Sequence, residues 1–171
     1  MAGAEKTGVA AARAGLFVNA VCVVTPTKKS DKTSVRRVKE FWRAVGGRTL
    51  QMAPGLHDAL VSRSSHLPHI VASVLTNHVL DPKRPKQQAA LCANGFRDTT
   101  RIASGSPEMW CDIALGNRAQ LRAALDGFVR ELQRVQAILR RGNSAEITRF
   151  LETAKARRDR WRAGAASPLP E

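Results

Sequence analysis

Residues 20–26 read Ala-Val-Cys-Val-Val-Thr-Pro. A short unbroken apolar run, rich in β-branched residues and closed by a proline, predicts a buried strand. Downstream, residues 27–32 are polar and lysine-rich, which predicts a loop, and Asp31 stands where a helix cap is needed. Val35, Val38, Phe41, Trp42 and Val45 then recur at helical spacing, and Gly46-Gly47 stops the helix they define. Residues 48–52 predict a second short strand, and a short helix is expected before the first, over residues 5–14. Strand, helix, strand implies a piece of parallel α/β sheet. That piece is too small to stand alone. The sequence holds no G-x-G-x-x-G, so the phosphate-binding half of a dinucleotide fold is not expected within this chain.

After Pro54-Gly55 the pattern turns helical. Residues 57–79 predict one long helical segment interrupted at Pro68. Residues 81–88 form a Pro/Lys-rich connection, and 89–104, small and polar, carry no clear periodicity. Ser106-Pro107 predicts a helix start, with serine as the cap and proline in the first turn. Over 117–141, Leu121, Leu125, Phe128, Leu132, Val135 and Leu139 alternate steps of four and three, a heptad seam. The seam leaves an intramolecular core and a dimer interface both open. Gly142 ends this helix, and Asn143 with Glu146 predicts a capping pair for the last one. Ile147, Leu151, Ala154 and Trp161 share a stripe on that helix, and 163–171, rich in Ala and Pro, is expected to be a disordered tail.

Bulk properties narrow the function classes. The 171 residues suit one domain, or a domain with a fragment. Three cysteines, Cys22, Cys92 and Cys111, with no C-x-x-C, argue against a disulfide framework or a zinc knuckle and favour a reduced, cytoplasmic setting. No apolar run approaches the roughly 20 residues of a membrane helix, and residues 1–15 lack the apolar core of a signal peptide. The net charge of +14 admits nucleic acid, an anionic surface or an anionic substrate as partner, or simply solvated helix faces.

Three stretches can carry chemistry. In Ser65-His66-Leu67-Pro68-His69 the histidines are three apart and share a helix face, while Pro68 cannot donate to the carbonyl of Ser64. They can serve a site, or merely cap a helix bend. Zinc is a weaker reading, because no third ligand is near in sequence. In Gly95-Phe96-Arg97-Asp98-Thr99-Thr100-Arg101, two arginines four apart can face one carboxylate if the stretch is helical, since a planar guanidinium binds carboxylate bidentately. The alternative is a polar helix start in which Asp98 pairs an arginine. In Pro107-Glu108-Met109-Trp110-Cys111-Asp112-Ile113, Trp110 alone reads as core.

Taken in order, these segments resemble the prephenate/arogenate dehydrogenase family. Met1-Ala2-Gly3-Ala4-Glu5-Lys6-Thr7-Gly8 is similar to the end of its H-P-M-A-G-S-E-K-S-G stretch, and Val23-Val24-Thr25-Pro26 to its I-L-T-P strand end. Residues 65–69 match its S-H-L-P-H, and residues 95–103 its G-F-R-D-T-T-R-I-A. Met109-Trp110 and Asp112-Ile113 match its M-W-x-D-I, and Asn117 sits where its helix carries asparagine. Asn94 departs from a common glycine. The similarity runs from residue 1 to about residue 162.

The resemblance implies a mainly α fold: a C-terminal remnant of a Rossmann-like nucleotide-binding α/β domain over 1–54, and a helical dimerisation and substrate domain over 55–162. It implies oxidation of prephenate with NAD or NADP. Hydride leaves C4 of the ring as the hydroxyl is deprotonated, and carbon dioxide leaves as the ring becomes aromatic, giving 4-hydroxyphenylpyruvate for tyrosine biosynthesis; arogenate is the amino analogue. Prephenate is a dianion, so a fixed cation is needed. Arg101 corresponds to the family's substrate-carboxylate arginine, and Arg97 is a second, weaker candidate. His69 corresponds to the histidine that reaches and orients substrate, with His66 supporting the bend beside it. Trp110 walls the pocket and Glu5 gates its mouth. The family's general-base histidine and Gly-rich loop would precede Met1, so an N-terminally truncated chain, inactive alone, is expected. No metal or membrane is implied, a homodimer is, and nucleic acid is disfavoured. The competing readings are a basic helical nucleic-acid-binding module and a dimer module without catalysis.

Overall fold

Strands β1 (Val21–Val24) and β2 (Arg48–Gln51) pair in parallel, with Val21 opposite Arg48 and Val24 opposite Gln51. Parallel neighbours cannot be joined by a tight turn. The crossover is helix α1 (Lys32–Ala44), as the spacing of its apolar residues requires. Asp31 accepts a hydrogen bond from the Ser34 N–H at 2.7 Å, satisfying a donor that the helix itself leaves open. That bond also holds the Asp31 carboxyl below its ordinary pKa. At the far end Gly46 takes φ +87° and the Gly47 N–H donates to the Trp42 carbonyl at 2.8 Å. A Cβ on Gly47 would lie 2.9 Å from that same oxygen, so glycine is required for the chain to enter β2.

The computed structural model describes residues 8, 9 and 12–164, and falls into two units, Met1–Leu125 and Asp126–Glu171. The helix expected over 5–14 does not form where it is described. Residues 12 and 13 are irregular and 14–19 are turns, while its other residues, apart from Gly8 and Val9, lie outside the described set. Gly15 at φ +76° and Asn19 at φ 60° adopt left-handed conformations, which end a right-handed helix rather than extend it. The segment is instead held by Phe17, whose ring meets Trp42 edge-on at 5.2 Å.

The helical part of the first unit begins with α2 (Pro54–Val61), a π-helical turn (Ser62–His66) and α3 (Leu67–Val79), which follow one another without a break. The interruption expected at Pro68 is therefore a widening. Pro68 offers no N–H to the carbonyl four residues back, and the wider turn just before it absorbs the mismatch. Residues 89–104, without periodicity in sequence, are largely helical: α4 (Gln87–Ala90) and α5 (Asn94–Thr100) lead into a 3₁₀ turn (Arg101–Ser104). α6 (Pro107–Gly116) starts at Ser106, whose hydroxyl accepts from the Met109 N–H at 3.3 Å and donates to the Glu108 carboxylate at 2.8 Å. Ala72, Leu121 and Ala124 are buried, whereas larger apolar side chains such as Phe41 (60% exposed) and Leu91 are not. No helix among the described residues is long and apolar enough to cross a membrane.

α7 (Arg118–Arg141) begins in the first unit and continues into the second, where α8 (Ser144–Gly164) follows. Gly142, at φ +64°, ends α7. Asn143 caps α8 as expected, its Oδ1 accepting from the N–H groups of Ala145 and Glu146 at 3.0 and 3.3 Å. The reciprocal half of the capping pair is not made. Glu146 turns to Arg141, whose Nε and Nη2 donate to one of its oxygens at 2.9 and 2.6 Å, because a charged partner outcompetes a neutral N–H. α8 runs to residue 164, two residues into the expected tail, and the rest of that tail lies outside the described residues. On the heptad seam Leu121 is buried, but Leu132 and Leu139 remain 49% and 59% exposed. The apolar stripe of α8 is equally open at Leu151 and at Trp161, where the Arg158 guanidinium sits 4.6 Å from the ring centroid.

Candidate active site

The π turn re-aims the histidines. His66 closes it and His69 lies in the first turn of α3, so the two rings flank Pro68. His69 is 5% exposed and stacks on Trp110 of α6, with ring centroids 3.6 Å apart and planes 11° from parallel. His66 meets the same indole edge-on at 6.3 Å. This close stack depends on Gly105. A Cβ there would lie 2.7 Å from the indole Nε1 and 3.2 Å from His69 Cε1.

The two imidazoles are neutral by construction. Burial pushes the pKa of His66 below its ordinary value, His57 nearby adds to this, and Asp58 opposes it. Burial alone does the same for His69. Asn117, between α6 and α7, donates from Nδ2 to the Asp58 carbonyl at 2.8 Å and lies 3.3 Å from His66 Nδ1. An amide NH₂ can only donate, so His66 Nδ1 accepts and its proton sits on Nε2. His69 Nδ1 is different: it is buried and has no hydrogen-bond partner among the described residues. A buried polar atom left unmatched costs about 1–3 kcal/mol, so it marks a place where a ligand group is favoured.

Arg101 opens the 3₁₀ turn that packs against α3, so the elements carrying Arg101 and His69 are neighbours. Arg97 is exposed and directs its guanidinium at Asn94 Oδ1, 2.6 Å away, on its own helix. The carboxylate pairing with Arg101 weighed from the spacing thus draws nothing from Arg97 as it stands. Glu5 lies outside the described residues. Clefts of about 700 and 390 Å³ are lined by other residues, along α1 and between α7 and α8. Sequence reasoning missed Gly105, just past the stretch 89–104 that showed no periodicity, and gave Asn117 no contact. Gly105 was signalled only by its position just before a helix, Asn117 by its match to the asparagine of the resembled family.

A parallel strand pair followed by a helical body that holds an imidazole–indole stack defines the class: an α/β segment of nucleotide-binding type joined to a helical domain. Comparison with known proteins makes it particular. Residues 53–153 match the family described as prephenate dehydrogenase, dimerization domain, and residues 1–51 match prephenate dehydrogenase, nucleotide-binding domain. The chain belongs to the prephenate dehydrogenase family. It is 38% identical over 161 residues to prephenate dehydrogenase of Bacillus subtilis, covering 93% of this chain and 43% of that protein. Among solved structures it is similar to the Aquifex aeolicus prephenate dehydrogenase in complex with hydroxyphenyl propionate and NAD+, at 35% identity and TM-score 0.86, covering 92% of this chain and 56% of that one. It is also similar to Synechocystis arogenate dehydrogenase, at 29% identity and TM-score 0.82, covering 94% and 59%. The chain spans about half the length of the relatives it matches.

Proposed function

We propose that the chain supplies the substrate-binding part of an enzyme that oxidises and decarboxylates a cyclohexadienyl carboxylate, prephenate or its amino analogue arogenate, to the corresponding 4-hydroxyphenyl product. The observation that carries this reading is the buried, unpartnered Nδ1 of His69, stacked on Trp110 beside the turn that bears Arg101. Those groups fit the ring and carboxylate end of such a substrate. The parallel β1–β2 pair fits the nucleotide-binding sheet of the matched family. NAD or NADP, when bound, accepts the hydride.

Binding and orienting the substrate fall to this chain's side chains. Arg101 offers a planar guanidinium that pairs with a substrate carboxylate and fixes its direction. His69, neutral at pH 7, offers a ring nitrogen for orientation without adding charge. The Trp110 indole excludes water from that side of the ring. His66, tied to Asn117, keeps the π turn in shape. Glu5 and Arg97 stay as secondary candidates, for gating and for the second carboxylate.

We place the functional boundary at residues 54–55, supported by adjoining family matches that end at 51 and begin at 53. A homodimer through the helical part is supported by the dimerization-domain match and by the open apolar positions of α7. Free Cys22, Cys92 and Cys111 support a cytoplasmic setting. Thermal unfolding with and without 4-hydroxyphenylpropionate tests the substrate reading. The ligand is expected to raise the midpoint, and Arg101→Gln to weaken binding by about ten- to a hundredfold, the weight of a charged hydrogen bond. Equal stabilisation of both proteins would refute the assignment.

A further inference from the structure

A cleft of about 700 Å³ runs beside α1, and its lining shares no residue with the imidazole–indole site. Its lining includes Lys28 from the loop after β1 and Lys32, Arg36, Lys39 and Arg43 from α1. The helical four step steps of four, three and four, so they form one stripe about 16 Å long at 1.5 Å per residue. Against five cations the lining holds one acid, Glu40, which is 3.8 Å from Arg36, both side chains being mostly exposed. Lys39 donates to Gln51 Oε1 at 3.4 Å. Lys28, Lys32 and Arg43 make no side-chain hydrogen bond or ion pair among the described residues.

Like charges three and four residues apart on a helix repel one another. A solvated face of a basic protein usually intersperses acids, as α8 does with Lys155 and Asp159 at 2.6 Å. Here the cations instead line a concavity, where low-dielectric walls strengthen the field felt by an anion. The loop that presents Lys28 is also held in place. The Thr27 N–H donates to Ser30 Oγ at 2.9 Å and the Lys29 N–H to Thr27 Oγ1 at 3.2 Å. The helix start is not the anion site, since the Asp31 carboxylate already sits there, accepting from the Ser34 N–H.

We propose that this cleft binds a linear oligophosphate, a free chain of contiguous phosphates laid along the α1 stripe. A single carboxylate or phosphate engages one or two of the cations; a row of several charges is what matches four in line, with Lys28 on the adjoining loop. The reading is independent of the dehydrogenase assignment.

Calorimetric titration of the 171-residue chain with inorganic tripolyphosphate at near-physiological salt tests it. The expected result is one-to-one binding that weakens at least about tenfold in the Lys28→Gln, Lys32→Gln, Arg36→Gln triple variant. The Arg160→Gln, Arg162→Gln variant of α8 should bind as the parent does. Affinity should also fall steeply as salt is raised, because exposed charges are screened; this arm needs no variant and stands if the triple variant does not fold. Absence of saturable binding, a flat salt response, or undiminished binding by a folded triple variant would overturn the proposal. So would tighter binding of a single-stranded oligonucleotide through the same residues, which would give the stripe to nucleic acid.

Discussion

Gly105 is the residue on which the site's geometry turns. It has no side chain, and a Cβ would press on Trp110 Nε1 at 2.7 Å and on His69 Cε1 at 3.2 Å. Gly105→Ala should therefore separate the stacked rings and cost about 1–3 kcal/mol, the usual range for overpacking. Chemical denaturation measures that loss, and near-UV dichroism should report a changed tryptophan environment. An unchanged stability and spectrum would mean the stack does not depend on this glycine. The histidines make a second prediction. Both have folded pKa values below the ordinary 6.5, mainly through burial. Between the folded and ordinary values the unfolded chain binds more protons, so stability is full above the ordinary value and is lost as pH falls through the folded ones. The thermal midpoint should drop as the solution is acidified below pH 6.5, and His69→Phe, which retains a ring against Trp110, should flatten part of that drop. A midpoint with no acid dependence through this range would contradict the buried neutral pair. At this scale His66, His69 and Trp110, which the structure brings together, were singled out from motifs, as was Arg101 on the neighbouring turn. Gly105 and Asn117 were not, because their roles come from what the folded backbone brings near them.

Among elements, those with a strong period were legible and those without were not. The apolar run of β1, the Asp31 cap of α1 and the heptads of α7 each announce their structure. Residues 89–104 do not: α4, α5 and the 3₁₀ turn are each too short to repeat an apolar face. Of the expected first helix only residues 8, 9 and 12–14 are described, and there the backbone is irregular or turned rather than α-helical. Pro68 was read as a break, yet the chain absorbs it by widening the turn before it. α7 carries the prediction at this level. Its seam sends Leu132 and Leu139 outward, with Val129 also exposed. Exposed leucines at heptad spacing favour a partner surface over water. Light scattering at micromolar concentration should give a dimer for the parent chain and a monomer for Leu132→Asp, Leu139→Asp. A parent chain that scatters as a monomer would remove the helical face from the dimer reading.

The whole molecule shows why a thin core and open apolar faces coexist. The buried apolar residues among those described are Ala72, Leu121, Ala124 and Ile138, while Phe41, Leu91, Leu132, Leu139 and Leu151 face outward. Such open apolar surfaces suit covering by a second copy, in keeping with the match to a dimerization domain. The excess charge divides in the same way: part lies on solvated helix faces, part in the α1 cleft, and one guanidinium, Arg101, sits on the turn next to the helix of His69. Everything functional rests on that last neighbourhood acting as one binding site. The most direct test is nuclear magnetic resonance of the chain titrated with 4-hydroxyphenylpropionate, following the His69 ring, the Trp110 indole N–H and the Arg101 guanidinium. The account predicts that all three move together along one saturation curve, and that Arg101→Gln moves that curve to about ten- to a hundredfold higher ligand. Saturable binding that leaves the His69 and Trp110 signals in place would contradict it.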